Sequence, residues 1–134
     1  MAEKRGTVRT PRPTDAELAI LRVLWDRGPS TVRDVHQALS RSQASGYTTV
    51  LKLLQIMTDK GLVTRDESER AHVYAPRLSE RRTQRQLLAD LVDRAFGGSS
   101  AKLVLHALAD RPASSEELRD IRALLDELEK GDAR

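Results

Sequence analysis

The strongest constraint on this chain is a change of hydrophobic period at Gly61. Before it, Val50, Leu53, Leu54 and Met57 fall at i, i+3, i+4 and i+7. That spacing lines one face of an α-helix and predicts a helix over about residues 46–60. Gly61 stops it in the C′ position, where a residue without Cβ enters the left-handed region at little cost. Leu62-Val63-Thr64-Arg65 and Ala71-His72-Val73-Tyr74-Ala75 then form two short β-prone runs around the polar stretch Asp66–Arg70. Such runs about a polar turn predict a hairpin, which Pro76 ends.

Two further helices precede this pair. Thr14 with Glu17 three residues later is a capping box, and Leu18, Leu21, Val23, Leu24 and Trp25 supply an apolar face as far as about Arg27. Gly28-Pro29 breaks it. Ser30-Thr31 reads as a short extended piece that caps the next helix, about Val32 to Ser40, with Val32, Val35 and Leu39 on one side. Arg41–Ser45 is a polar turn. Three helices followed by a hairpin is the order of a winged helix-turn-helix, predicted over residues 14–78. Residues 1–13, with Lys4, Arg5, Arg9, Arg12, Pro11 and Pro13, read as a mobile basic arm.

Residues 79–134 are predicted to be helical. Ser79 caps alone, since Arg82 stands where a capping box needs an acid or amide. Leu87, Leu88, Leu91, Val92 and Phe96 make one stripe, broken by Gly97-Gly98. Ser99 or Ser100 caps a short helix bearing Leu103, Val104 and Leu108. After Pro112, Ser114-Ser115-Glu116-Glu117 opens a last helix with Leu118, Ile121, Leu124, Leu125 and Leu128. Helices this short bury little area within one chain. Two copies paired through them would bury the stripes; folding back on the first domain is the alternative. The fold class is mainly α with a small β-hairpin wing.

Composition narrows the chemistry. The 134 residues include no cysteine, which removes disulfides and thiolate-ligated metals and fits a cytoplasmic location. No apolar run reaches the ~20 residues that span a bilayer, and the charged N-terminus is not a secretory signal. Residues 1–78 hold 13 Lys and Arg against 9 Asp and Glu, whereas residues 79–134 hold 10 against 11. The first half is therefore the candidate for a polyanionic partner.

A helix that reads double-stranded DNA needs short hydrogen-bonding side chains near its start and a cation within reach. Tyr47, Thr48, Thr49 and Lys52 fill those places. Arg33 opens the preceding helix, and Arg65, Arg70 and His72 on the hairpin suit phosphate or minor-groove contact, with Arg9 and Arg12 as further backbone contacts. An ordinary solvated face is the plain alternative for Thr48, Thr49, Lys52 and Gln55, and Asp66, Glu67 and Glu69 stand ready to pair with Arg65 and Arg70. A protein-binding winged helix, for which Leu51 and Ile56 speak, and a small-molecule sensor are the other function classes. His36, His72 and His106 lie on separate elements, so no metal site or cofactor is expected. No catalytic grouping or P-loop is present, and Gly97-Gly98 lacks the Lys-Ser/Thr such a loop needs.

Thr31–Leu39, Gly46–Leu51, Lys60–Val63, Arg70–Pro76, Leu91–Ser99 and Leu118–Leu125 together resemble the BlaI/MecI family of penicillinase repressors, across about residues 14–129. The resemblance implies a homodimer on a two-fold symmetric operator. Leu87, Leu88, Leu91, Phe96, Leu103, Val104, Leu118, Ile121 and Leu125 would form the interface. It also implies derepression through a membrane sensor-protease system that cuts an Asn-Phe bond in the dimerisation domain. His106-Ala107 stands at that place here. A related branch releases DNA on copper binding through C-terminal cysteines, which this chain lacks.

Overall fold

Capping chemistry fixes where the helices start. In the computed structural model, which describes residues 12–40 and 46–132, the Thr14 hydroxyl accepts the Glu17 N–H at 3.2 Å and Glu17 accepts the Thr14 N–H at 2.9 Å. Helix α1 then runs Asp15–Arg27. Thr31 and Asp34 repeat the same reciprocal pair at 3.2 and 3.3 Å and open α2, Val32–Leu39. Helix α3, Tyr47–Lys60, starts at Gly46 with no side-chain cap. It ends at Gly61, whose φ of 82° lies in the left-handed region. The N–H of Leu62 closes the turn on the Met57 carbonyl at 2.9 Å.

Strands β1 (Ser30–Thr31), β2 (Val63–Asp66) and β3 (Val73–Pro76) form one antiparallel sheet in the order β1-β3-β2. The hairpin expected from the sequence is therefore part of a three-stranded sheet. Ser30 faces Tyr74 and Thr31 faces Val73, while Arg65 faces Tyr74 from the other side. Two residues carry no readable period, so the local sequence gives no sign of the β1 pairing. Pro76 ends β3 as its last residue, opposite Val63, as expected from the sequence.

These elements enclose one core. Ile20, Leu21 and Leu24 come from α1, Val32, Val35 and Leu39 from α2, and Val50, Leu54 and Met57 from α3. Leu62, just before β2, closes it with Val63 and Tyr74 of the sheet. Leu53 packs at its margin, only half-buried. Trp25 also lies at the edge and donates its indole N–H to the Leu78 carbonyl at 3.0 Å.

Helices α4 (Glu80–Ala95), α5 (Ser100–Asp110) and α6 (Ser115–Asp132) complete the chain. Ser79 caps α4 through the Arg82 N–H, Ser99 caps α5 through the Lys102 N–H, and Ser114 with Glu117 forms a capping box for α6. The chain divides into two compact units, one ending at Leu87 and one starting at Leu88. Among the described residues of the second unit, Val92 is the only hydrophobic side chain that is buried.

Candidate nucleic-acid interface

The start of α3 is polar and open. Tyr47, Thr48, Thr49 and Lys52 are all exposed, Tyr47 at 49%, while Val50 and Leu54 between and beyond them are fully buried. Helical periodicity thus sorts one face into the core and presents the other. Gly46 offers no side chain to the first turn, which leaves its N–H groups to solvent or a ligand.

Three elements converge beside that turn. An open groove of about 650 Å³ runs between the starts of α2 and α3 and the hairpin, and it gathers Arg33, Tyr47, Arg70 and His72 around a floor that includes Val32 and Leu51. The register of Thr31 opposite Val73 is what brings the start of α2 against the hairpin. Four residues from three separate stretches of sequence therefore share one concavity. His36 packs edge-on against Tyr47, with ring centroids 5.9 Å apart, and so supports the first residue of α3.

Other expected residues stand apart. Arg65 is held by Glu67 at 2.7 Å, and hydrogen bonding to Tyr74 and then Glu67 raises its guanidinium above the ordinary value. Asp66 accepts the Ser68 N–H at 2.9 Å, which shapes the hairpin turn and lowers its carboxyl. Arg12 is exposed ahead of α1. Arg9, the rest of the basic arm before residue 12 and the turn at 41–45 lie outside the described residues.

One positioning pair is not legible in the sequence. Lys60, the last residue of α3, reaches both oxygens of Glu17 at 2.9 Å. Glu17 is only 2% exposed. Burial alone would raise its carboxyl, but the Thr14 N–H and the Lys60 ammonium outweigh that and hold it below the usual range. The pair ties the end of α3 to the start of α1. Spacing reveals the cap role of Glu17, but not a partner 43 residues away.

In the second unit, Leu88, Leu91, Val104 and Leu125 are exposed, and Phe96, Leu103, Leu118 and Ile121 are half-buried, as is Leu87 at the end of the first. His106 and Ala107 lie exposed on α5, with the His106 ring 5.7 Å from Phe96. Among the described residues, no helix is long and apolar enough to cross a membrane, and no three His, Cys, Asp or Glu converge as metal ligands.

Three helices around one core, an open third-helix start and a flanking hairpin define a winged helix-turn-helix protein of the DNA-binding class. Residues 13–127 match the family model of the penicillinase repressor. The transcriptional regulator BlaI of Mycobacterium tuberculosis (strain CDC 1551 / Oshkosh) is 36% identical over 118 residues, 87% of this chain and 85% of that protein. The penicillinase repressor of Bacillus licheniformis is 24% identical over 119 residues, 89% and 93% of the two chains. A solved DNA-binding domain of the repressor BlaI superposes with a TM-score of 0.49 at 26% identity, over 55% of this chain and 90% of its own. The chain belongs to the penicillinase repressor family of transcriptional regulators.

Proposed function

We propose that the chain represses transcription in the cytoplasm by occupying a two-fold symmetric DNA operator as a homodimer. Residues 14–78 act as the DNA-binding domain and residues 79–134 as the dimerisation domain. The observation that carries this reading is the groove in which Arg33, Tyr47, Arg70 and His72 meet beside the exposed Thr48, Thr49 and Lys52. Thr48, Thr49 and Lys52 read base edges in the major groove with Tyr47; Arg33, Arg70 and His72 hold phosphates on either side. Arg65 contributes less, because Glu67 already neutralises it. Arg9 and Arg12 extend the backbone contacts.

The exposed stripes of Leu88, Leu91, Val104 and Leu125 support pairing of two copies. A sensor-protease that cut at His106-Ala107 would detach α6 and its leucines from the DNA-binding domain, which links cleavage to derepression. The test of base reading is Thr48→Ala with Thr49→Ala. Preference for operator over random DNA should fall by about 1–3 kcal/mol for each base-edge interaction removed. Equal weakening on both DNAs would assign the two threonines to the backbone instead.

A further inference from the structure

Four arginines, Arg77, Arg81, Arg82 and Arg85, lie within nine residues at the start of α4, and Glu80 is the sole acid between Arg70 and Asp90. None of the contacts assigned above uses them. All four are exposed, and among the described residues none has a carboxylate partner. Their placement works against the helix that carries them. Arg81 and Arg82 sit in the first turn, at the positive end of the helix dipole. Arg81 and Arg85 form a like-charge pair at i, i+4. A stretch selected only for helix stability would add acids beside Glu80 there, as α6 does with Glu116 and Glu117, rather than two arginines.

The backbone under this row is well fastened. The Arg77 N–H donates to the Leu62 carbonyl at 3.0 Å, the Leu78 carbonyl accepts the Trp25 indole N–H at 3.0 Å, Ser79 caps the Arg82 N–H at 3.1 Å, and Thr83 is buried. The row is therefore pre-organised on the same unit as the DNA-reading elements. Arg77 has a local role as well. Its guanidinium lies 3.1 Å from where a Cβ on Gly61 would be, beside the carbonyl end of α3, whose negative pole favours a cation. The 14 residues of α3 put Gly61 about 20 Å from Tyr47 along the helix axis.

We propose that Arg81, Arg82 and Arg85 form a second anchor for double-stranded DNA, gripping backbone phosphates outside the segment that the start of α3 reads. The guanidinium fork suits phosphate oxygens, and the row holds arginine throughout and no lysine. This inference rests on the DNA-binding reading of the first unit.

The test is binding of the full chain to a random-sequence duplex, followed by anisotropy over a salt series. Removing one phosphate interaction should flatten the slope of log affinity against log salt by about 0.9. Arg81→Gln, Arg82→Gln and Arg85→Gln combined should flatten it by about two to three units, and the three Arg→Lys changes should largely restore it. Each single Gln variant should remove about one unit, which keeps the test independent of how the triple variant folds. A charge-matched control, Arg22→Gln with Arg111→Gln and Arg119→Gln, should leave the slope unchanged. An unchanged slope in the triple Gln variant, or equal flattening in the control, overturns the second anchor and leaves the groove reading intact; an unchanged slope would also point to an acidic protein as the occupant. Failure of the wild-type chain to bind any duplex at low salt overturns both.

Discussion

The two units solve the problem of burying apolar side chains in opposite ways. The first closes a core of twelve buried residues drawn from three helices and the β2–β3 hairpin with Leu62 just before it. The second leaves Leu88, Leu91, Val104, Leu105, Leu124, Leu125 and Leu128 between 43% and 70% exposed. Burying one leucine stabilises by about 1.5–3 kcal/mol, so the second unit forgoes most of what its composition offers while it is unpaired. The difference teaches a division of labour. The first unit has a reason to fold by itself, and among its described residues Tyr47 and Ile56 are the large hydrophobic side chains left exposed. In the second, Leu118, Ile121, Leu125 and Leu128 follow the 3,4,3 spacing of a helix-pairing seam, which supports the proposed pairing with another copy.

The largest effect should come from breaking that seam. Leu125→Asp with Leu128→Asp should reduce the mass in sedimentation equilibrium to that of one 15.0 kDa chain. Affinity for a two-site operator should fall at least about a hundredfold as avidity is lost. A variant that stays dimeric would move the interface off α6. Next is the core of the first unit. Leu54→Ala removes a side chain with no exposure and should cost about 2–5 kcal/mol in denaturant unfolding. A cost below about 1 kcal/mol would mean that this core is looser than its burial implies.

Breaking the Glu17–Lys60 pair is the third step. Lys60→Met leaves a buried carboxylate with its cap N–H alone and should cost about 1–3 kcal/mol. Because the folded Glu17 carboxyl lies below its ordinary value, the pair stabilises fully above the usual carboxylate range. That stability is lost as pH falls through the range towards the lowered folded value. Acid titration of stability should therefore be shallower in Lys60→Met than in the wild type, and an identical profile would leave Glu17 with no part in acid sensitivity. The smallest effect is expected from Arg70→Ala. It should flatten the salt dependence of DNA binding by about one unit while leaving sequence preference in place. An unchanged slope would take Arg70 out of the interface.

Much of this architecture is legible locally. The Thr14–Glu17 box, the stripe of Val50, Leu54 and Met57 and the stop at Gly61 each depend on residues within one helical turn or two, and each stands as the periodicity predicts. The pairing of β1 with β3, the Lys60 bond to Glu17 and the Trp25 bond to Leu78 join residues more than 40 positions apart. Nothing in the local pattern signals such partners. The site shows the same split. Arg33 on α2, Tyr47 on α3 and Arg70 with His72 on the hairpin each stand out locally, but their convergence depends on the β1–β3 register. Arg81, Arg82 and Arg85 do not stand out as a site, because the leucines dominate the period of α4 and a run of charges has no period of its own.

The most direct test of DNA occupancy by a dimer is a gel-shift titration of the full chain on the DNA upstream of its own gene. Random-sequence competitor should be present, at two salt concentrations, with the number of chains per duplex measured in the shifted band. The expected result is a competitor-resistant complex of two chains per duplex that weakens as salt rises. A complex that competitor abolishes, or one chain per duplex at saturation, would contradict it.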